Sequence, residues 1–404
     1  MSNDFAQPAI SRRTLLLGLG GVVAAAAPFV GATPMSVATQ LAAAAPSETR
    51  WQPLTLRIKQ AIVEKVLPSI QIAVMQDSKV IYSGAQGAAN FETQTAATTT
   101  SIYRIGSCTK QFTAAGILAL AEEGRLSVDD KLAKFIPDFP EADTVTLRQI
   151  LNHNAGLGNY TRTKPPLAML QIARSDRSDD EMLALIKAND PVYISKPGTS
   201  YSYSNTGFVL LGVIIGRLTN APYGEYLRTR IFDKAGLTRT RVDDGREIVI
   251  GRVSGYTRGQ NTPNGFANAS FISMTYPGGA GSVRSTAEDL CAWHAALLGG
   301  KVLRQASVEQ MLTPGRLSNG ELPKGSDGHP VEYGFGVQLN EVDGHRALSH
   351  RGTIQGFRSH ISTLIQERIS VAYIINADPI SGGNELDSFG PEIEKQAFRI
   401  ALPR

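Results

Sequence analysis

Two residues that could act as a nucleophile and its base lie in the segment RIGSCTK, residues 104–110. Ser107 precedes Lys110 by three positions, so both side chains share one face if a helix begins here. A serine hydroxyl needs a base to become a good nucleophile, and a lysine can be that base only where burial or positive potential lowers its pKa. The positive end of a helix dipole at Ser107 also favours a developing anion. Taken alone, the pattern favours a capping serine followed by a solvated lysine.

A second group of polar residues lies in the segment PGTSYSYSNTG, residues 197–207. Tyr203 could relay a proton, and the amide of Asn205 could hold a polar group of a substrate. An apolar helix is predicted to begin near Gly207, directly after them. In isolation this segment favours a turn with an asparagine helix cap.

The third group is His350-Arg351-Gly352-Thr353, within the segment SHRGTIQGF. A glycine beside a strand lets another backbone, including that of a substrate, approach closely. Adjacent strand residues face opposite ways, so Arg351 should point away from a cleft that His350 faces. A lone histidine is usually structural. The other five histidines form no i,i+4 pair or ligand cluster, so the sequence predicts no metal site.

These three groups need a scaffold that brings distant segments together. Period-two patterns predict hairpins near both ends of the chain, at residues 69–76 with 79–84 and at 358–365 with 369–376. Helical patterns lie at 54–67, 107–123 with Gly124 as C-cap, 182–187, 207–218, 287–298, and 391–401 with Pro391 in the first turn. The sequence therefore predicts an α+β fold. An antiparallel sheet is built from the N- and C-terminal segments, and a mostly helical region, about residues 107–270, is inserted between them.

Composition excludes several other classes. The 404 residues are 42% hydrophobic and 19% charged with a net charge of +4, which describes a globular protein without a nucleic-acid-binding surface. The two cysteines, Cys108 and Cys291, are too few for a disulfide framework or a zinc site, and their spacing leaves open whether they are bridged. No phosphate loop or dinucleotide fingerprint occurs, so no cofactor is predicted. The absence of Gly-x-Ser-x-Gly argues against an α/β-hydrolase esterase.

The N-terminus carries the pattern of an export signal. Arg12 and Arg13 directly precede an apolar run rich in glycine and alanine, which resembles a bacterial twin-arginine signal. An ordinary secretory signal or a membrane anchor is the alternative, and the mild hydrophobicity of the run argues against a permanent span. We therefore assign residues 1–45 to a signal segment and expect a periplasmic or secreted protein without a membrane span in its mature form.

Taken together and in order, the three groups resemble the active-site signature of the penicillin-recognising serine hydrolases. The form of the motifs is closest to the class C β-lactamase branch, with family VIII carboxylesterases, D-alanyl-D-alanine carboxypeptidases and D-aminopeptidases. Flanking segments also resemble that family: ILNHNAGL, PGTSYSYSNTG, GAGSVRSTAEDL and YGFGVQL. The resemblance covers about residues 55–400, so residues 46–404 are expected to form one β-lactamase-like domain.

The resemblance implies a role for each motif residue. Ser107 would form an acyl-enzyme, Lys110 would accept its proton, and Tyr203 would share the relay and protonate the leaving group. Asn205 would orient the acyl side of the substrate. The backbone N–H groups of Ser107 and Thr353 would hold the oxyanion, and His350 and Gly352 would contact the substrate.

His350 departs from the lysine that true β-lactamases carry in the third motif. A histidine is largely neutral at pH 7, so a cation that would bind a substrate carboxylate is missing. The resemblance therefore favours small esters or D-amino-acid peptides and amides as substrates. A weak β-lactamase and a non-catalytic penicillin-binding protein are the alternatives.

Overall fold

A seven-stranded antiparallel sheet is the centre of the computed structural model. The structure describes residues 49–162, 166–259, 262, 264–378 and 385–403, so the predicted signal segment at residues 1–45 lies outside the described residues. The strands are β1 Ser69–Gln76, β2 Lys79–Asn90, β3 Thr95–Ala96, β4 Tyr103–Arg104, β5 Arg241–Val242, β6 Tyr256–Arg258, β7 Phe266–Asn268, β8 Val283–Ser285, β9 Gln338–Val342, β10 His345–Ile354, β11 Phe357–Leu364, β12 Ile369–Ile375 and β13 Ala377–Asp378.

The order of strands in the large sheet is β3-β2-β1-β12-β11-β10-β9. Strand β1 pairs antiparallel with β12, with Ile70 opposite Ile375 and Gln76 opposite Ile369. The N- and C-terminal segments thus meet at the middle of the sheet, which confirms the predicted architecture. Both predicted hairpins form, as β1–β2 and β11–β12. Two small sheets, β13-β6-β7 and β4-β8-β5, flank the large one.

Helices cover both faces of this sheet. They are α1 Gln52–Val63, α2 Thr109–Glu122, α3 Leu147–Leu151, α4 Pro166–Ala173, α5 Asp179–Lys187, α6 Asn205–Thr219, α7 Tyr223–Leu227, α8 Asp233–Ala235, α9 Ala287–Leu298, α10 Gln305–Met311 and α11 Glu385–Ala401. No helix within the described ranges is long and apolar enough to cross a membrane. The described part of the chain forms one compact unit, and the boundaries of the inserted helical region stay a prediction.

Strand periodicity divides the core into two layers. Ile70, Ile72 and Val74 of β1 pack with α1 and α11 on one face, whereas Ala73 and Met75 pack with the larger cluster around α2 and α9 on the other. The alternation follows from successive strand side chains pointing to opposite faces. The central strands are therefore buried on both sides, and they hold β10 rigidly.

Helix α11 differs from its prediction. It begins at Glu385 rather than at Pro391, which lies inside the helix. Leu386 and Phe389 are 2% and 0% exposed, so burial of these two side chains against the sheet extends the helix upstream of the proline. The tertiary contact outweighs the local preference of proline for a first turn.

A close backbone crossing places α6 against the turn at Gly278–Ala280. A Cβ atom on Gly279 would lie 2.3 Å from the carbonyl oxygen of Phe208, and one on Gly212 would lie 3.2 Å from the backbone of Gly279. Real Cβ atoms do not approach a backbone atom as closely as 2.3 Å, so position 279 needs glycine, whereas a Cβ atom on Gly212 would be a tight contact that requires a small shift of its neighbour. The crossing sets where the carbonyl group of Ala280 lies.

We predict that Gly279→Ala lowers the free energy of unfolding by about 1–3 kcal/mol, because the added methyl group forces the turn away from α6. Thermal unfolding measures the effect. Gly245→Ala is the matched control, since its Cβ would meet only the ring of Phe271 at 3.8 Å. Equal melting temperatures for the two variants would contradict the close crossing.

Candidate active site

Ser107 lies in a tight turn, Gly106–Cys108, that leads directly into α2. Gly106 has a φ of +47°, and a Cβ atom there would lie 2.9 Å from the backbone of Thr353. Beside it, the hydroxyl of Ser359 donates to the carbonyl oxygen of Ile105 at 2.7 Å. The turn is therefore held against the end of β10, and Ser107, half-buried, faces the same cavity as Thr353.

Lys110 is wholly buried one turn into the helix. Its Nζ atom lies 3.1 Å from Ser107 Oγ, 2.8 Å from Asn205 Oδ1 and 2.9 Å from the carbonyl oxygen of Ala280. It also lies 4.8 Å from the ring centre of Tyr203. Burial holds the pKa of Lys110 well below its ordinary value of 10.5, because a low-dielectric surrounding disfavours the ammonium form.

The hydrogen-bond partners of Lys110 are three uncharged oxygen atoms. The oxygen atoms of Asn205 and Ala280 can only accept, so Lys110 donates to both. The hydroxyl of Ser107 can both accept and donate, so it accepts from the ammonium form of Lys110 and can donate to the lone pair of the neutral amine. Loss of one proton from Lys110 would therefore leave its nitrogen facing the serine proton.

Tyr203 is favoured in its protonated form. Burial raises the pKa of Tyr203, and a side-chain hydrogen bond with Ser107 partly opposes that rise. At neutral pH the phenol therefore keeps its proton. A base and an acid whose pKa values are pushed apart by their surroundings are what acyl transfer requires.

Asn205 connects Lys110 to the cavity wall. Its Oδ1 accepts from Lys110, and its Nδ2 donates to Thr161 Oγ1 at 3.3 Å. Thr161 in turn donates to Asn159 Oδ1 at 2.9 Å. The amide orientation is thus set from both ends, and its N–H side faces the cavity.

The cavity in front of Ser107 has a volume of about 630 Å³. Ser107, Asn205 and Thr353 lie in its wall. The other described residues that line it are Gly106, Tyr160, Thr161, Arg162, Ala173, Ile272, Tyr276, Pro277, Ala280, Gly281, Ile354 and Gln355. The size and the mixture of aromatic and polar groups suit a small organic substrate.

His350 does not line this cavity, in contrast to the sequence prediction. It is 2% exposed, and its Nδ1 lies 2.7 Å from the carbonyl oxygen of Arg351, so Nδ1 carries the proton. Nε2 then accepts from the hydroxyl of Tyr333 at 2.9 Å. Burial and the nearby Lys110 lower the pKa of His350 to about 3. The imidazole is therefore a neutral acceptor that positions Tyr333.

Gly352 also differs from its predicted role. A Cβ atom there would lie 2.0 Å from the carbonyl oxygen of Ile105, so the glycine admits the chain's own backbone rather than a substrate. Arg351 is exposed, and its charge acts on Tyr373 and Glu394. That places it on the face of β10 away from His350, as strand alternation predicts.

Two residues beside the site were not singled out from sequence. The ring of His153 packs against that of Tyr203 in a tilted arrangement with ring centres 4.4 Å apart, and its Nδ1 accepts from the backbone N–H of Ser204 at 3.2 Å. Tyr333 packs against both His153 and Tyr203. His153 lies in the flanking segment ILNHNAGL and Tyr333 in YGFGVQL, so the resemblance of these segments to the family could have identified them. The residue types alone could not, because sequence does not distinguish a ring buried beside a site from any other buried ring.

Cys108 belongs to the core. Its thiol contacts the carbonyl oxygen of His350 at 3.3 Å, and burial raises the pKa of Cys108 to about 12. Cys108 and Cys291 are both buried and free. The question that their spacing left open is thus answered: the two residues are not bridged.

We predict that Tyr333→Phe lowers the free energy of unfolding by about 1–3 kcal/mol, because His350 Nε2 becomes a buried acceptor without a donor. Thermal unfolding measures the loss. Tyr193→Phe is the control, since the bond from its hydroxyl to Pro140 is exposed and water can replace it. An equal change in both variants would show that the Tyr333–His350 bond contributes nothing.

The chain is 29% identical over 319 residues to penicillin-binding protein 4* of Bacillus subtilis (strain 168), which covers 76% of this chain and 68% of that protein. It is 28% identical to the D-aminopeptidase of Gluconobacter oxydans (strain 621H), covering 76% of this chain but only 56% of that protein's length.

Solved structures agree with the fold. The octameric penicillin-binding protein homologue from Pyrococcus abyssi aligns with a TM-score of 0.72 at 25% identity, covering 86% of this chain and 76% of that one. The D-amino acid amidase from Ochrobactrum anthropi SV3 aligns over 86% of this chain and 98% of that one, with a TM-score of 0.72 at 22% identity. The latter likeness shows the fold alone.

A sequence model of the beta-lactamase family matches residues 54–388. The match is to the family as a whole, so the class C and family VIII branch stays a prediction of the motifs. The matched range runs from α1 to α11 and includes all three motif segments and the cavity that they surround. The chain therefore belongs to the beta-lactamase family.

Proposed function

We propose that the protein is a serine hydrolase that acts through an acyl-enzyme on Ser107, with esters or D-amino-acid peptides and amides as substrates. The single observation that carries the proposal is the buried amino group of Lys110, which lies 3.1 Å from Ser107 Oγ and donates to Asn205 and Ala280. Export through a twin-arginine signal at residues 1–45 stays a prediction of the sequence.

The geometry supports the following steps. Ser107 Oγ attacks the acyl carbon while its proton passes to Lys110, so a C–O bond forms as the O–H bond breaks. Backbone N–H groups of Ser107 and Thr353, at the two sides of the cavity wall, would stabilise the oxyanion. Tyr203 protonates the leaving group and regains a proton from Lys110. Water then releases the acyl group by the same path in reverse.

The charges near Lys110 favour esters and D-peptides over β-lactams. His350 is neutral and hydrogen-bonded to Tyr333, and Arg351 lies on the other face of its strand, so the third motif supplies no cation to a substrate carboxylate. The relatives named penicillin-binding protein and D-aminopeptidase support peptide or amide substrates. A weak β-lactamase activity is the second candidate, and intact Ser107, Lys110 and Tyr203 argue against a non-catalytic binder.

The first test is Ser107→Ala, which we expect to abolish hydrolysis of p-nitrophenyl butyrate and of a D-alanyl-D-alanine peptide, because the acyl-enzyme cannot form. Labelling by a fluorophosphonate, read by intact mass, should disappear as well. Ser127→Ala, an exposed serine outside the cavity wall, should retain both. Activity that survives in Ser107→Ala would refute the mechanism, and nitrocefin turnover well above that of the ester would reverse the order of substrates.

The second test concerns the base. We expect kcat/KM to rise with pH as Lys110 loses its proton, with a midpoint well below pH 10.5, since burial lowers the pKa of Lys110. Lys110→Met should lower kcat by roughly 10²–10⁴-fold through loss of general-base catalysis.

The exposed Lys234→Met serves as control and should leave the pH profile unchanged. An effect of Lys110→Met confined to KM would contradict a base role, because a base acts on the chemical step rather than on substrate binding.

A further inference from the structure

The wall of the cavity in front of Ser107 carries positive charge without matching negative charge. Of the described residues that line it, Arg162 alone is ionised, and none is an aspartate or a glutamate. Lys110 lies behind Ser107 and is not among the residues that line the cavity. A substrate group that enters here therefore meets one cation and no fixed anion.

Arg162 is free to act on a substrate. It makes no ion pair or side-chain hydrogen bond with any other described residue, its side chain is exposed at the cavity wall, and its charge reaches Tyr203. A second cavity, whose lining includes three arginines and Asp243, offers a contrast, because Arg104, Arg252 and Arg284 all pair with that buried carboxylate. The charge of Arg162 has no such compensation within the described residues.

The amide of Asn205 also favours a substrate oxygen atom over a substrate cation. Because its Oδ1 is taken by Lys110, only its N–H side is available to the cavity. An N–H donor binds a carbonyl or carboxylate oxygen and repels an ammonium group. Asn205 and Arg162 therefore both present N–H donors to the cavity.

We propose that this pocket takes acyl groups whose α-nitrogen is acylated or that carry a carboxylate, and that it discriminates against a free α-ammonium, with Arg162 setting the charge preference. The inference rests on the proposed function and names its substrate class. An enzyme that removes N-terminal D-residues must receive a free ammonium, and the described wall offers it no counter-ion. N-acylated D-amino-acid esters and amides, such as internal positions of a peptide, fit instead.

The test uses three benzyl esters of D-alanine: the free amine, the N-acetyl and the N-succinyl derivative. Esters are chosen because they report on the acyl pocket even if amides are hydrolysed slowly. Released benzyl alcohol gives kcat/KM at a pH where the free amine is protonated. At low ionic strength we expect the N-succinyl ester to exceed the N-acetyl ester by about fivefold, and the free amine to be slower than both by at least as much. Salt should reduce the first ratio.

Two variants test whether Arg162 sets the charge preference. Arg162→Gln should bring the N-succinyl to N-acetyl ratio to about one, and Arg162→Glu should invert it and raise kcat/KM for the free amine. Arg368→Gln is the matched control. This exposed arginine follows β11, whose eight residues carry the chain about 25 Å from the cavity end of the sheet, so its ratios should equal those of the wild type.

Hydrolysis of p-nitrophenyl butyrate, which is uncharged, separates this inference from the proposed function. If that activity is present and lost in Ser107→Ala, the hydrolase is established whatever the charge preference. Equal turnover of the free amine and the N-acetyl ester, ratios unaltered in Arg162→Gln, or no turnover of any D-alanine ester while the butyrate is hydrolysed would each overturn the inference. Absence of Ser107-dependent butyrate hydrolysis would overturn the proposed function itself.

Discussion

The site depends on one buried amino group. No carboxylate of the described residues bonds Lys110, so no ion pair compensates its burial and its pKa lies well below the ordinary value. Its Nζ atom donates to Asn205 and Ala280 and lies within hydrogen-bond distance of Ser107. Moving either acceptor would remove a bond that fixes the amino group beside the serine.

The fold holds those acceptors through contacts between backbones. Gly279 lets the turn that carries Ala280 lie directly on α6, the helix that begins with Asn205. Gly106 and Gly352 bring the turn of Ser107 against β10 in the same way. Since backbone atoms cannot change rotamer, these crossings define the positions of the acceptors more closely than side-chain packing would. The central sheet, joined from both ends of the chain, keeps β10 in place.

Two buried histidines beside the site are uncharged. His153 and His350 lie beside Tyr203 and Lys110, and burial keeps both imidazoles neutral. They can therefore pack and position without adding charge to the reacting groups. Arg162 is the one uncompensated cation within the described cavity wall. In the proposed mechanism the buried groups supply reactivity and this exposed arginine sets the charge preference.

Sequence by itself determined the architecture, because strand and helix periodicity are local. It also singled out Ser107, Lys110, Tyr203 and Asn205 as candidate reacting residues, because they carry suitable chemical groups at family spacing. Tertiary structure decided the features that depend on contacts between distant parts of the chain. Pro391 became internal to α11 when Leu386 and Phe389 were buried, and His350 turned away from the cavity because its ring bonds Tyr333. The protonation of Lys110 was decided there too, since a pKa depends on how completely the fold removes water from the amine.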